Sequence, residues 1–188
     1  MRLAAPRVAP LEDAELTDEQ RAALAPMSAG GRSPLNIFRT LARAPKALTR
    51  FNEWGTYVLS RRNSLPARER EIVILRVGWL CRSGYEFSQH TAIGLRDGLT
   101  ADEIARVKKG AEAGWSAADA ALIRAADELV RDHFVSEATW RALTAHFDEK
   151  QRMDVVFTVG QYTQVSMFLN TFGVQLEPGA KPDPDLRA

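Results

Sequence analysis

Apolar positions recur three and four residues apart over most of this chain, and no run alternates apolar with polar residues between turn signals. The pattern predicts a nearly all-α protein. Helix starts are marked by side chains that accept from free backbone N–H groups, with a Glu or Gln three residues on to return the bond. Thr17 with Gln20, Ser83 with Glu86, Thr100 with Glu103 and Asp148 with Gln151 all fit that box. Pro34, Pro45 and Pro66 mark further openings, because proline is accepted in a first helical turn and not in the interior. The predicted helices cover 17–25, 35–43, 46–61, 66–81, 84–97, 100–110, 116–133, 136–146 and 149–172. Gly98 supplies a stop and a sharp reversal before Thr100. In the last helix Val155, Val156, Val159, Val165, Phe168, Leu169 and Phe172 form a broad apolar face, expected to be central or to meet another subunit.

A length of 188 residues suits one domain with a sizeable core. The expected plan is an N-terminal extension over 1–16, a helical domain over 17–176 and a C-terminal tail over 177–188, with both ends lying along the surface or on a partner subunit. Basic and acidic residues number 25 and 24, so no net positive field favours phosphate and a nucleic-acid partner is not expected. The longest apolar run, Ile72 to Cys81, is interrupted by Arg76 and is too short for a membrane span. The N-terminus lacks an apolar signal core, so the expectation is a cytoplasmic protein without a membrane partner. A single cysteine, Cys81, cannot form an intramolecular disulfide and suits a reducing compartment.

Candidate chemistry concentrates between Arg68 and His90. Glu71 lies in the first turns of the 66–81 helix, at the edge of a stripe holding Ile74, Leu75 and Gly78, where partial desolvation would raise a carboxyl pKa toward the range useful for proton transfer. Glu86 precedes His90 by one helical turn, so the two can share a face. Imidazole both accepts and donates a proton near neutral pH, which makes His90 the leading candidate catalyst. Ser83 and Glu86 also read as a capping box that needs no chemistry. His133 and His146 lack a comparable acidic setting. Arg76 and Arg82 are candidate anchors for a substrate carboxylate, since guanidinium offers a planar pair of donors, although a plain ion pair explains Arg82 equally well. Tyr85 can present its hydroxyl to a ligand, while Trp54, Trp79 and Phe87 read as core or pocket wall. Cys81 fits a small buried hydrophobe, with a redox role only if it reaches the same pocket as His90. No Cys/His cluster offers three ligands, so neither a metal nor another cofactor is expected.

The interval from Glu71 to His90, nineteen residues, resembles the carboxymuconolactone decarboxylase superfamily. The similarity runs over roughly 34–110, most specifically 65–90 and the Gly98-Leu99-Thr100-Ala101-Asp102-Glu103-Ile104 segment, and Phe168 to Val174 looks like the family's closing helix. In the peroxide-reducing branch, resembling alkyl hydroperoxidase D, two cysteines stand where this chain has Ser83 and Glu86. A two-thiol mechanism is therefore impossible at these positions. The resemblance implies a multi-helix bundle of the alkyl hydroperoxidase D type, forming trimers or hexamers. For function it implies cofactor-free decarboxylation or isomerisation of a small carboxylated lactone or related enolisable acid, with Glu71, Glu86 and His90 as catalytic groups. Peroxide reduction through Cys81 and an external thiol, and a non-catalytic binding or assembly role, stay open as alternatives.

Overall fold

The computed structural model describes residues 2–31 and 33–186; Met1 of the extension and residues 187–188 of the tail lie outside them. Among the described residues there are nine α-helices and no strands: α1 (Asp18–Leu24), α2 (Asn36–Leu41), α3 (Pro45–Leu59), α4 (Ala67–Leu80), α5 (Gly84–Arg96), α6 (Ala101–Val107), α7 (Ala117–Asp132), α8 (Glu137–Thr144) and α9 (Glu149–Phe172). Every helix predicted from the apolar spacing is present. Three of the four expected capping boxes close: Thr17 with Gln20, Thr100 with Glu103 and Asp148 with Gln151. Ser116 and Ser136 cap α7 and α8 by accepting from the backbone of Asp119 and Thr139.

The centre of the fold is α4, packed against α5, α7 and α9. Ile72, Val73, Ile74, Leu75 and Val77 have no exposed surface, as expected of a helix that is apolar on every side. One core cluster joins Val73, Ile74 and Val77 to α7 and α9, and a second joins Ile72 and Leu75 to Phe87, Leu99, Ile104 and Ile123.

Between α4 and α5 the chain reverses in one tight turn. Arg82 adopts the left-handed conformation (φ 51°), and the Ser83 amide donates to the Gly78 carbonyl at 2.8 Å. This is the helix-ending turn usually built on glycine. A Cβ on Gly78 would stand 3.3 Å from Glu86 Cγ, so the missing side chain lets the first turn of α5 settle onto α4.

Arg76, expected as a carboxylate anchor, is taken up by partners within the protein. Its guanidinium pairs with Asp127 of α7 at 2.6 and 3.0 Å and donates to the carbonyls of Val107 and Lys108, the free C-terminal carbonyls of α6. That contact explains why α6 stops at Val107 rather than reaching residue 110: Gly110, at φ +93°, turns the chain directly over the guanidinium.

The two ends are held by specific bonds. The Arg7 and Val8 amides both donate to the Phe172 carbonyl, and Gly173 (φ +70°) passes so close that a Cβ would lie 2.9 Å from the Ala5 carbonyl oxygen. In the tail, Lys108 binds Asp183 and Asp185, and Leu186 is buried in the second core cluster rather than lying on the surface.

Removing one partner of a buried, hydrogen-bonded ion pair strands the other. Arg76→Ala is therefore expected to cost about 3 kcal/mol of stability, discounted for the partial exposure of Asp127, as read from the urea-unfolding midpoint. An unchanged midpoint would contradict the bracing role.

Candidate active site

The site forms where α4 and α5 run side by side against α9. Glu71, from α4, has no exposed surface and is therefore fully desolvated rather than at the edge of an apolar stripe. Its Oε2 lies 2.7 Å from His90 Nδ1. The carboxylate accepts, so Nδ1 donates, which fixes the ring tautomer and leaves Nε2 as the working nitrogen. One turn earlier on α5, Glu86 places Oε1 3.1 Å from Nε2, off the line of a hydrogen bond, a contact that becomes an ion pair when the ring is protonated. Tyr162 of α9 meets the imidazole edge-on at 4.9 Å.

Electrostatics separates the two glutamates. Burial pushes the Glu86 carboxyl up to about 7, with the His90 charge opposing and the Glu71 charge reinforcing the rise. For His90, burial disfavours the charged ring, but the Glu86 and Glu71 carboxylates and the Glu71 hydrogen bond outweigh it and raise its pKa. Both groups are thus held toward their protonated forms, Glu86 by burial and His90 by the two carboxylates, which is the range acid–base chemistry uses. Arg70, a buried residue that sequence reasoning missed, adds a positive charge close enough to act on His90. It donates to the Ser60 carbonyl at 3.5 Å, and its Nε has no protein partner.

His90 and Glu86 open onto a cavity of about 470 Å³ between α2, α3, α5 and α9. Most of its wall is apolar, with Ile37, Phe38, Phe51, Leu59, Ile93 and Val165 among the contributors. Tyr85 also lines it, but its hydroxyl donates to Glu177 at 2.6 Å, and Gln89 binds the same carboxylate. Glu177, from the tail, also accepts from the Asn36 amide at the start of α2. It was invisible in the sequence because nothing local links it to those partners. Gln161 of α9, likewise missed, lines the cavity and is buried.

Other expected residues lie elsewhere. Arg82 is exposed in the α4–α5 turn and, like Arg76, is not among the cavity-lining residues. Its left-handed backbone takes it out of the helical phase that would have faced Glu71. Cys81 caps the end of α4 and does not line the cavity; burial pushes its thiol pKa up, away from the reactive thiolate. The Ser83–Glu86 capping box does not form: Ser83 Oγ is buried without a protein partner, and the Glu86 side chain faces the cavity. Trp54 is on the surface and Phe87 is in the core. Among the described residues, no group of three or more His, Cys, Asp or Glu side chains is placed to hold a metal ion.

Residues 45–128, which carry Glu71, Glu86 and His90, match the carboxymuconolactone decarboxylase family. That match, over a little under half of the chain, supports the carboxymuconolactone decarboxylase superfamily for this segment. Among solved structures it is similar to the alkylhydroperoxidase AhpD core of an uncharacterised peroxidase-related protein from Ralstonia eutropha, at 21% identity and a TM-score of 0.77, over 97% of this chain and 96% of that one. A peroxidase-related protein from Silicibacter sp. aligns at 14% identity and a TM-score of 0.74, over 98% and 93%. A cysteine-to-alanine variant of the debrominase Bmp8, in complex with 2,3,4-tribromopyrrole, aligns at 11% and 0.76, over 93% and 94%. At these identities the likeness establishes the fold alone. No curated protein matches the chain.

The raised pKa values of Glu86 and His90 make stability depend on pH. Glu86 and His90 both bind their proton more tightly in the folded state than in the unfolded one. Each contribution is therefore complete at low pH and declines as pH rises: that of Glu86 from 4.5 to about 7, that of His90 above 6.5. Between about pH 5 and about pH 8, wild type is expected to lose on the order of 2–3 kcal/mol relative to Glu86→Gln, followed by urea unfolding at each pH. Parallel stability curves for the two proteins would show that Glu86 is not the titrating group.

Proposed function

We propose that the protein is a cofactor-free acid–base enzyme of the decarboxylation and isomerisation type, moving a proton on a small enolisable carbonyl compound. The observation that carries this reading is the 2.7 Å Glu71–His90 contact, which holds the ring so that Nε2 and Glu86 meet at the cavity wall. His90 would take or deliver the proton, Glu71 would hold the imidazole in the required tautomer, and Glu86 would receive the proton as the ring turns over. A neutral carbonyl compound fits this wall better than the carboxylated lactone that the resemblance implies. Isomerisation is favoured over decarboxylation, because neither Arg76 nor Arg82 lines the cavity and no Lys or Arg side chain does so among the described residues.

Peroxide reduction is the weaker reading. The peroxidase-related relatives suggest it, but Cys81 lies outside the cavity lining and its thiol pKa is raised. A purely binding role would be consistent with Glu71 and His90 lying apart, and they are in contact. We take the working unit to be a cytoplasmic homo-oligomer, since Trp54, Met153, Val156 and Met167 leave apolar surface exposed on α3 and α9. No helix among the described residues is long and apolar enough to cross a membrane.

Solvent-deuterium incorporation into a carboxylated muconolactone and its uncharged methyl ester, followed by NMR, tests the reading without presuming the natural substrate. His90→Ala is expected to lower exchange about 100-fold or more, and Glu71→Gln about tenfold through loss of the tautomer. Exchange by His90→Ala at the wild-type rate would remove the mechanism.

A further inference from the structure

Within the cavity, most polar side chains are already committed to protein partners. Tyr85 and Gln89 bind Glu177, Asn52 donates to Met27 Sδ, and Ser60 donates to the Tyr57 carbonyl. Besides Thr56, which is exposed, and the Tyr162 hydroxyl, two buried side chains differ. Glu86 is 3% exposed and neither of its carboxylate oxygens accepts a hydrogen bond from the protein; Gln161 is 5% exposed and its amide makes none at either end. Both line the same cavity, from α5 and α9. A buried polar group without a hydrogen bond is destabilising; Glu86 has His90 Nε2 at 3.1 Å but accepts no hydrogen bond, so two such groups facing one largely apolar space need an explanation beyond packing.

The charge pattern narrows what would satisfy them. Among the described residues, the only formal charges on the cavity wall are those of Glu86 and His90. An anionic ligand would meet the Glu86 carboxylate with no Lys or Arg side chain among the described wall residues to offset it, whereas an O–H or N–H donor would meet an open acceptor. The Gln161 amide can present either end and so can donate to the same oxygen whose proton Glu86 accepts. Apolar walls formed by Ile37, Phe38, Phe51, Ile93 and Val165 suit a hydrocarbon ring.

We propose that the cavity binds a neutral, largely apolar ring compound through one hydroxyl or N–H group, read jointly by Glu86 and Gln161. This names the substrate class for the acid–base reading and rests on that reading only for the reaction, because an enol or phenol-like hydroxyl is the tautomer that His90 and Glu86 would interconvert.

Calorimetric titration of the full chain with 2-naphthol, 2-methoxynaphthalene and 2-naphthoate separates the possibilities. The naphthol is expected to bind about tenfold or more tightly than the ether and the carboxylate, as one lost hydrogen bond would dictate. Gln161→Leu should weaken naphthol binding about tenfold while leaving the unliganded melting temperature unchanged or raised, an outcome a merely structural role for Gln161 would not give. Glu86→Gln should weaken it as well. Equal binding of the ether or the carboxylate, no binding of any of the three, or undiminished naphthol affinity in Gln161→Leu would overturn the proposal. Wild-type exchange by His90→Ala combined with a strong naphthol preference would sink only the acid–base reading. The reverse pattern would sink only the ligand class.

Discussion

The hydrogen bond between Glu71 and His90 is the constraint around which the centre of this protein is arranged. A carboxylate with no exposed surface is costly unless a donor meets it, and here the donor comes from the neighbouring helix. Reaching 2.7 Å requires α4 and α5 to lie close along their length, and two glycines make that possible. Gly78 receives the start of α5, where a Cβ would stand 3.3 Å from Glu86. Gly94 receives the other end, where a Cβ would come within 2.9 Å of Leu99 and 3.7 Å of Glu71. The left-handed Arg82 closes the turn between the helices. Changing the reversal at Arg82 or the spacing at either glycine would move His90 relative to Glu71.

The same arrangement accounts for where the cations went. Arg76 braces α4, α6 and α7; Arg68 ties α4 to Glu103 and Asp119; Lys108 holds the tail through Asp183 and Asp185. Each sits where a helix end or a loop would otherwise have lacked a partner. The scaffold thus absorbs these three positive charges, and among the described residues the cavity wall keeps only an imidazole and a carboxylate as formal charges. Selectivity there must come from shape and hydrogen bonding rather than from a guanidinium clamp.

The helices were legible because apolar spacing and caps are local signals, and at Thr17, Thr100 and Asp148 the local signal met no competitor. At Ser83 it did. Ser-x-x-Glu satisfies the capping pattern, yet Ser83 is the last residue of the turn that ends α4, and its amide is already spent on Gly78. Glu71 and His90 were readable from their interval and its family resemblance. Arg76 was misread because guanidinium chemistry suggested a substrate carboxylate while its partner, Asp127, lies far along the sequence. Gln161 carried a usable signal: it falls in the buried phase of α9 between Thr158 and Val165, where a polar side chain needs a reason. Glu177 carried none, since its partners on α2 and α5 come from distant parts of the chain.

The positions that hold a dithiol in the peroxide-reducing branch have separated in role here. Ser83 is packed out of reach, its hydroxyl buried without a protein partner, so it supplies backbone geometry and not chemistry. Glu86 stays on the cavity wall, one turn from His90, and burial lifts it to about 7. A thiol pair would store two electrons at this point; a carboxyl near neutrality stores a proton. Glu71 is sealed behind the imidazole and can only orient it, whereas Glu86 faces the ligand side and can exchange. In the proposed acid–base reading, two carboxylates placed in unlike surroundings around one histidine would take different parts in proton transfer, and that asymmetry, more than the identity of either residue, would suit the cluster to the work.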